Sequence, residues 1–177
     1  MSKRILFKHA RLLDPASRMD RPGDLLVEGE AIAGFGTLED ATADQVIECG
    51  GKALMPGLVD MRVQIREPGE EHKENLVSAA HAAAAGGITS LATLPNTQPV
   101  IDDQSLVEFI AREARKIGLV KIFPYAAATR GLQGKELTEM GLLAGVGAVG
   151  FTDGVKAIAN AQVMRLALSY ARTFDQL

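Results

Sequence analysis

The sequence predicts an α/β protein in which a β-rich segment is followed by successive strand–helix units. Three observations carry this. Residues 1 to about 54 hold short apolar runs separated by turn signals and show no long helical period. From Leu58 onward the pattern changes to strand, helix, strand, helix, as in a parallel sheet with crossover helices. Between them, Ala53 to Gly69 (ALMPGLVDMRVQIREPG) reads as a strand with a charged exit. Leu58, Val59, Met61, Val63 and Ile65 give it the apolar, partly β-branched content of a strand enclosed on both faces. In parallel α/β folds, sites gather at the C-terminal ends of strands, so Arg66-Glu67-Pro68-Gly69 marks the end to watch.

In the first segment, Arg4 to Phe7 is strand-like, and Asp14-Pro15 and Arg21-Pro22-Gly23 are turn signals. Asp24 to Glu28 is a second strand, and Ala31 to Phe35 and Gln45 to Ile47 are further candidates. We take 1–54 as one β-rich subdomain and 55–177 as the strand–helix region.

The first unit of that region is a strand over Leu58 to Ile65 and an Ala-rich helix from about Lys73 to Ala85, stopped by Gly86-Gly87. Ile88 to Leu94 is the second strand. Asp102 or Asp103 caps a helix that runs through Lys116 and stops at Gly118. Lys121 to Ala128 is the third strand, and Lys135 to Ala144 a short helix. Ala148 to Thr152 is the fourth strand, and Gln162 to Phe174 the fourth helix. Four units cannot close a parallel barrel, which needs eight. The last strand would leave an open edge and a half-exposed core. The expectation is a piece of a larger object: a truncated chain, a proteolytic product, or half of an assembled barrel.

Composition narrows the class without naming a chemistry. The chain has 177 residues, net charge −3 and 47% hydrophobic residues, enough for a core-bearing domain. The charge gives no reason to expect nucleic acid or a membrane surface. The single Cys49 cannot form an internal disulfide, which fits a reducing, cytoplasmic setting. The N-terminus lacks the apolar core of a signal peptide, and no apolar run reaches the ~18 residues of a membrane span.

The segment PGLVDMRVQIREPG resembles the first barrel strand of the amidohydrolase superfamily, and closely that of class I dihydroorotases. Those enzymes carry PG-(L/F)-(V/I)-D-x-H-x-H-x-R-E-P-G there. LPNTQPV resembles their MPNT motif, and GFTDG their FTDDG segment. The three motifs stand in the family's order, and the resemblance covers nearly the whole chain. The resemblance implies the N-terminal half of a TIM-like (β/α)8 amidohydrolase barrel, with residues 1–54 as part of its flanking β-sandwich.

The resemblance also shows what has changed. The family's two zinc histidines fall on Arg62 and Gln64. Residues two apart on a strand point to one side, which is why H-x-H can hold one metal. A permanently charged guanidinium repels zinc, and an amide oxygen is a poor zinc ligand. His9, His72 and His81 make no metal-ligand spacing with one another. Arg66 matches the family's carboxylate-binding arginine, and its plain structural alternative is an ion pair with Glu67 or Glu70. Asn96 matches the substrate-contacting asparagine, with a simple turn residue as its alternative. Asp153 matches a metal-bridging aspartate, but Gly154 follows where the family has a second acid. Asp153 is expected to pair with Arg62, an ion pair standing in for the lost metal charge. Cys49 has no partner histidine nearby and reads as a structural or surface thiol.

By resemblance, two functions follow. One is a non-catalytic dihydroorotase homologue of pyrimidine biosynthesis that needs no cofactor and supports the assembly of aspartate carbamoyltransferase in a homo- or hetero-oligomer. The other is a working, zinc-dependent cyclic amidohydrolase that interconverts carbamoyl aspartate and dihydroorotate.

Overall fold

The computed structural model describes residues 2–176. It comprises two compact units, Met1–Pro56 and Gly57–Leu177.

The first unit is a five-stranded sheet: β1 (Arg4–Asp14), β2 (Met19–Glu28), β3 (Ala31–Gly36), β4 (Gln45–Glu48) and β5 (Ala53–Leu54). The order is β3-β2-β1-β4, with β5 also on β1. β1 pairs antiparallel with β2 and parallel with β4 and β5. Leu6, Leu12 and Leu26 are buried on it. Between Phe7 and Ala10 the register slips, and His9 takes φ 53°. Buried Asp24 repairs the break by accepting the His9 N–H at 2.9 Å and the Leu38 N–H at 3.3 Å. The His9 N–H chiefly holds the Asp24 carboxyl below its ordinary range. Arg21-Pro22-Gly23, expected as a turn, lies inside β2. Proline is tolerated there because β3 joins β2 only from Asp24 onward.

The second unit is a parallel sheet, β6 (Leu58–Val63), β7 (Ile88–Thr93) and β8 (Lys121–Pro124), in that order. Helices α1 (Leu76–Ala85), α2 (Gln104–Ile117), α3 (Met140–Gly145) and α4 (Ala161–Arg172) accompany it. Ile65, Leu76, Leu91, Val107, Ile110, Ile122 and Leu143 form the main core. Ala79, Ala80 and Ala83 of α1 are buried with Leu76, while Ala82, Ala84 and Ala85 on its other face are exposed. α1 begins three residues later than the spacing suggested. Asn75 accepts the Ser78 N–H at 2.8 Å and donates its own N–H to Ser78 Oγ at 3.1 Å, a reciprocal cap. At the head of α2, Asp103 rather than Asp102 is the cap, accepting the Leu106 N–H at 3.1 Å. α3 also starts late, at Met140. Residues 129–138 fold back instead, with Arg130 N–H on Glu136 O and Thr138 N–H on Ala128 O.

Two sequence expectations change here. The fourth strand is reduced to one bridge, Ala126 with Phe151, although ladder bonds from Val149 to Pro124 and from Thr152 to Ala126 continue the parallel run. β6 is not enclosed on both faces: Leu58, Val59 and Met61 are 48%, 64% and 69% exposed. Among the described residues β6 stands at the end of its sheet and pairs with β7 alone, which leaves these side chains open to solvent.

Candidate functional site

The candidate site lies where β6, β7 and the fourth parallel segment end. Alternation along β6 is kept into the loop: Val63 and Ile65 pack toward the core, while Arg62 and Gln64 are exposed. Arg62 is fixed at its backbone by Asp60, whose carboxylate accepts the Arg62 N–H at 3.0 Å. Its side chain then reaches across the strand ends, and Nη2 donates to the carbonyl of Gly154 at 3.3 Å. Sheet order puts β7 and β8 between these residues, so the guanidinium overhangs the mouth.

The loops after β6 and β7 brace each other. Leu94 N–H donates to Val63 O at 2.8 Å, and Gln98 N–H to Pro68 O at 3.1 Å. Gly69, at φ 104°, lies so close to Gln98 that a Cβ there would sit 1.9 Å from its carbonyl oxygen. In this brace Arg66 faces Glu70 at 3.6 Å, the structural pairing foreseen for it. Glu67 turns elsewhere and accepts the Leu76 N–H at 2.8 Å, at the start of α1. Glu70 is also bonded by Lys73, which chiefly holds its carboxyl below the ordinary range. Asn96 is half-buried, its Oδ1 is enclosed, and that oxygen has no hydrogen-bond partner. It is neighbour to Gly154, whose missing Cβ would lie 3.7 Å from Asn96 Oδ1.

Asp153 does not pair with Arg62. Asp153 is 4% exposed, and Thr129 bonds both of its carboxylate oxygens: the Thr129 N–H donates to Oδ1 at 2.8 Å and the hydroxyl donates to Oδ2. Thr129 Oγ1 in turn accepts the Gly134 N–H at 2.8 Å. The reason is solvation. A buried carboxylate needs donors, and Thr129 supplies two at once, whereas Arg62 stays in the open mouth. Thr129 was not among the residues the sequence singled out; its one clue was a hydroxyl residue following a predicted strand.

The histidines lie apart. His9, in the first unit, faces Glu48 at 2.9 Å, while His72 and His81 are exposed on the turn before α1 and on α1 itself. Cys49 is half-buried, and its thiol lies 3.9 Å from Ile47 O. Among the described residues, no three His, Cys, Asp or Glu side chains converge on a point that would hold a metal. No described helix is long and apolar enough to cross a membrane. A zinc ion does not fit the residues this chain offers at the mouth. The Asp153 carboxylate is bonded by Thr129, and the side chain overhanging the site is a cation.

Residues 51–176 match the family model described as "Dihydro-orotase-like". The dihydroorotase of Syntrophotalea carbinolica is 41% identical over 173 residues, which is 97% of this chain and 40% of that protein. A "dihydroorotase-like protein" of Pseudomonas aeruginosa is 42% identical over 172 residues, 97% of this chain and 41% of that one. The chain thus spans about two fifths of the length of these relatives. Among solved structures, the L-hydantoinase (dihydropyrimidinase) from Arthrobacter aurescens superposes with a TM-score of 0.70 at 26% identity, over 85% of this chain and 32% of that one. A crystal structure of a dihydroorotase superposes with a TM-score of 0.61 at 15% identity, over 98% of this chain and 50% of that one, a likeness of fold.

Proposed function

The chain belongs to the dihydro-orotase-like family, with the fold of the N-terminal part of an amidohydrolase-type TIM-barrel protein, and from that premise we propose that it is a non-catalytic member. The observation that carries the reading is the mouth itself. Arg62 and Gln64 stand at the metal-histidine positions of the resemblance, and Asp153 is held by Thr129. Opening or closing a cyclic amide by this family's route calls for a metal-activated hydroxide, and these residues are poor company for one.

What the chain keeps is scaffold. The motif frame of the resemblance stands where its metal ligands do not, and braced loops and capped helices support that frame. We therefore place the protein in pyrimidine biosynthesis, in the cytoplasm, where it supports the assembly of aspartate carbamoyltransferase. The free, half-buried Cys49 suits a reducing compartment. The competing reading is an active zinc-dependent dihydroorotase that interconverts carbamoyl aspartate and dihydroorotate. Identity of 41% to proteins named dihydroorotase, and the retention of Arg66 and Asn96 for substrate, favour it.

Elemental analysis of the intact protein, beside a dihydroorotase assay, separates the two. Less than stoichiometric zinc, no turnover and co-purification with aspartate carbamoyltransferase are the expected results. One or two zincs with turnover would overturn the non-catalytic reading.

A further inference from the structure

We propose that Arg62 is a strap that ties the end of β6 to the end of the fourth parallel segment, so that the chain's own side chains, and no metal, hold these strand ends together. The proposal rests on the non-catalytic reading above and adds a conformational role to it.

The strap covers an unusual span. β7 and β8 lie between β6 and the fourth segment. Neighbouring strands of a flat sheet stand about 4.8 Å apart, so three steps would separate the two ends by roughly 14 Å, more than an arginine side chain reaches. Arg62 Nη2 nevertheless donates to the Gly154 carbonyl at 3.3 Å. The curl of the sheet and the inward lean of the turn after the fourth segment close that distance, and the bond lasts only while they do. At the near end the strap is anchored by Asp60, whose carboxylate accepts the Arg62 N–H at 3.0 Å. A charged donor makes the bond stronger than one between neutral groups.

At the far end Gly154 is held from several sides. It takes φ 65°, and its N–H donates to Thr152 Oγ1 at 3.0 Å. A Cβ there would lie 3.7 Å from Asn96 Oδ1, so the loop after β7 packs against it. Asp153, the preceding residue, is bonded by Thr129 from the fold-back after β8, and its carbonyl accepts the Lys156 N–H at 3.2 Å. The ends of β6, β7 and β8 thus all meet at Asp153-Gly154, and Arg62 makes the longest of these reaches. Positions 62 and 153 are also those that the resemblance gives to metal ligands. A metal shared by two strand ends cross-links them and stabilises the fold. Zinc does not fit the residues here, and the guanidinium joins the same two ends instead.

The test is amide hydrogen exchange of the intact protein, read by mass spectrometry on peptides that cover residues 150–158. Wild type is compared before and after EDTA treatment, with its zinc content measured, and with Arg62→Gln. Expected results are unchanged exchange in EDTA and exchange about fivefold faster over 150–158 in Arg62→Gln, with α2 unaffected. If Arg62→Gln exchanges faster throughout the second unit, it has lost its fold, and Arg62→Lys replaces it. That variant keeps the charge but not the planar fork, and it is expected to speed exchange over 150–158 alone. Unchanged exchange over 150–158 in the variant used would overturn the strap. Faster exchange of wild type in EDTA would overturn it too, and stoichiometric zinc released at the same time would overturn the non-catalytic reading with it. Unchanged exchange in the variant of a zinc-free protein would sink the strap and leave that reading standing.

Discussion

Thr129 holds Asp153 by both carboxylate oxygens, through its N–H at 2.8 Å and through its hydroxyl. Both residues are buried, at 0% and 4% exposure. The pair ties the fold-back at residues 129–138 to the end of the fourth parallel segment. Removing one side leaves the other unsatisfied in the interior. Asp153→Ala and Thr129→Val are each expected to destabilise the protein by about 1–3 kcal/mol. Thr129→Ser, which keeps both donors, should be close to wild type. Urea unfolding of the three variants checks this; an unchanged midpoint in Asp153→Ala would remove the clamp from the account.

The same clamp bears on attempts to restore a metal. Replacing both Arg62 and Gln64 by histidine gives back two imidazoles but leaves the Asp153 carboxylate engaged by Thr129. The double variant of the intact protein is expected to hold less than one equivalent of zinc after dialysis. Stoichiometric zinc in that variant would show that Thr129 yields to the metal.

Gly69 tests the brace between the two loops. A methyl group there would meet the Gln98 carbonyl oxygen at 1.9 Å, on a backbone with φ 104°. Gly69→Ala should lower stability by ~2 kcal/mol or more. Gly87 also has a positive φ, 76°, but open space around it. Gly87→Ala should therefore lose only the conformational part, ~1 kcal/mol. Equal losses in thermal melts would mean that the loops part easily.

At the head of α2, Asp103→Ala should cost ~1 kcal/mol near neutral pH. The Asp103 carboxyl lies below its ordinary 3.8, chiefly because the Ser105 hydroxyl bonds it, with the Leu106 N–H adding to the effect against burial. A carboxyl lowered by folding stabilises fully above its unfolded value, and that contribution is lost as pH falls through the folded value. The gap between wild type and variant should hold steady from neutral pH down to about that 3.8 and narrow below it. Stability curves of the two proteins against pH check the sign.

Much of the fold was legible because this chain punctuates itself. Gly86-Gly87 and Gly118 ended helices where expected, and an aspartate opened α2. Arg66 met Glu70, one of the two partners its spacing offered. What escaped was non-local. Pro22 reads as a turn until one sees that β3 joins β2 only from Asp24 onward. The apolar run of β6 says that it will be covered and cannot say that its neighbours here leave it bare. Asp153 carries the same charge whether it meets Arg62, a metal or Thr129. Thr129 lies twenty-four residues upstream, and no periodicity connects them.

Among the described residues β6 has a strand beside it on one side only, and Leu58, Val59 and Met61 stand exposed along it. Such a border is a template for whatever extended chain comes near. In concentrated solution, this polypeptide is therefore expected to stack edge to edge and precipitate unless something occupies that border. Holdase chaperones, which seize extended apolar segments, would find their target at the very residues that frame Arg62. Refolding is best carried out dilute.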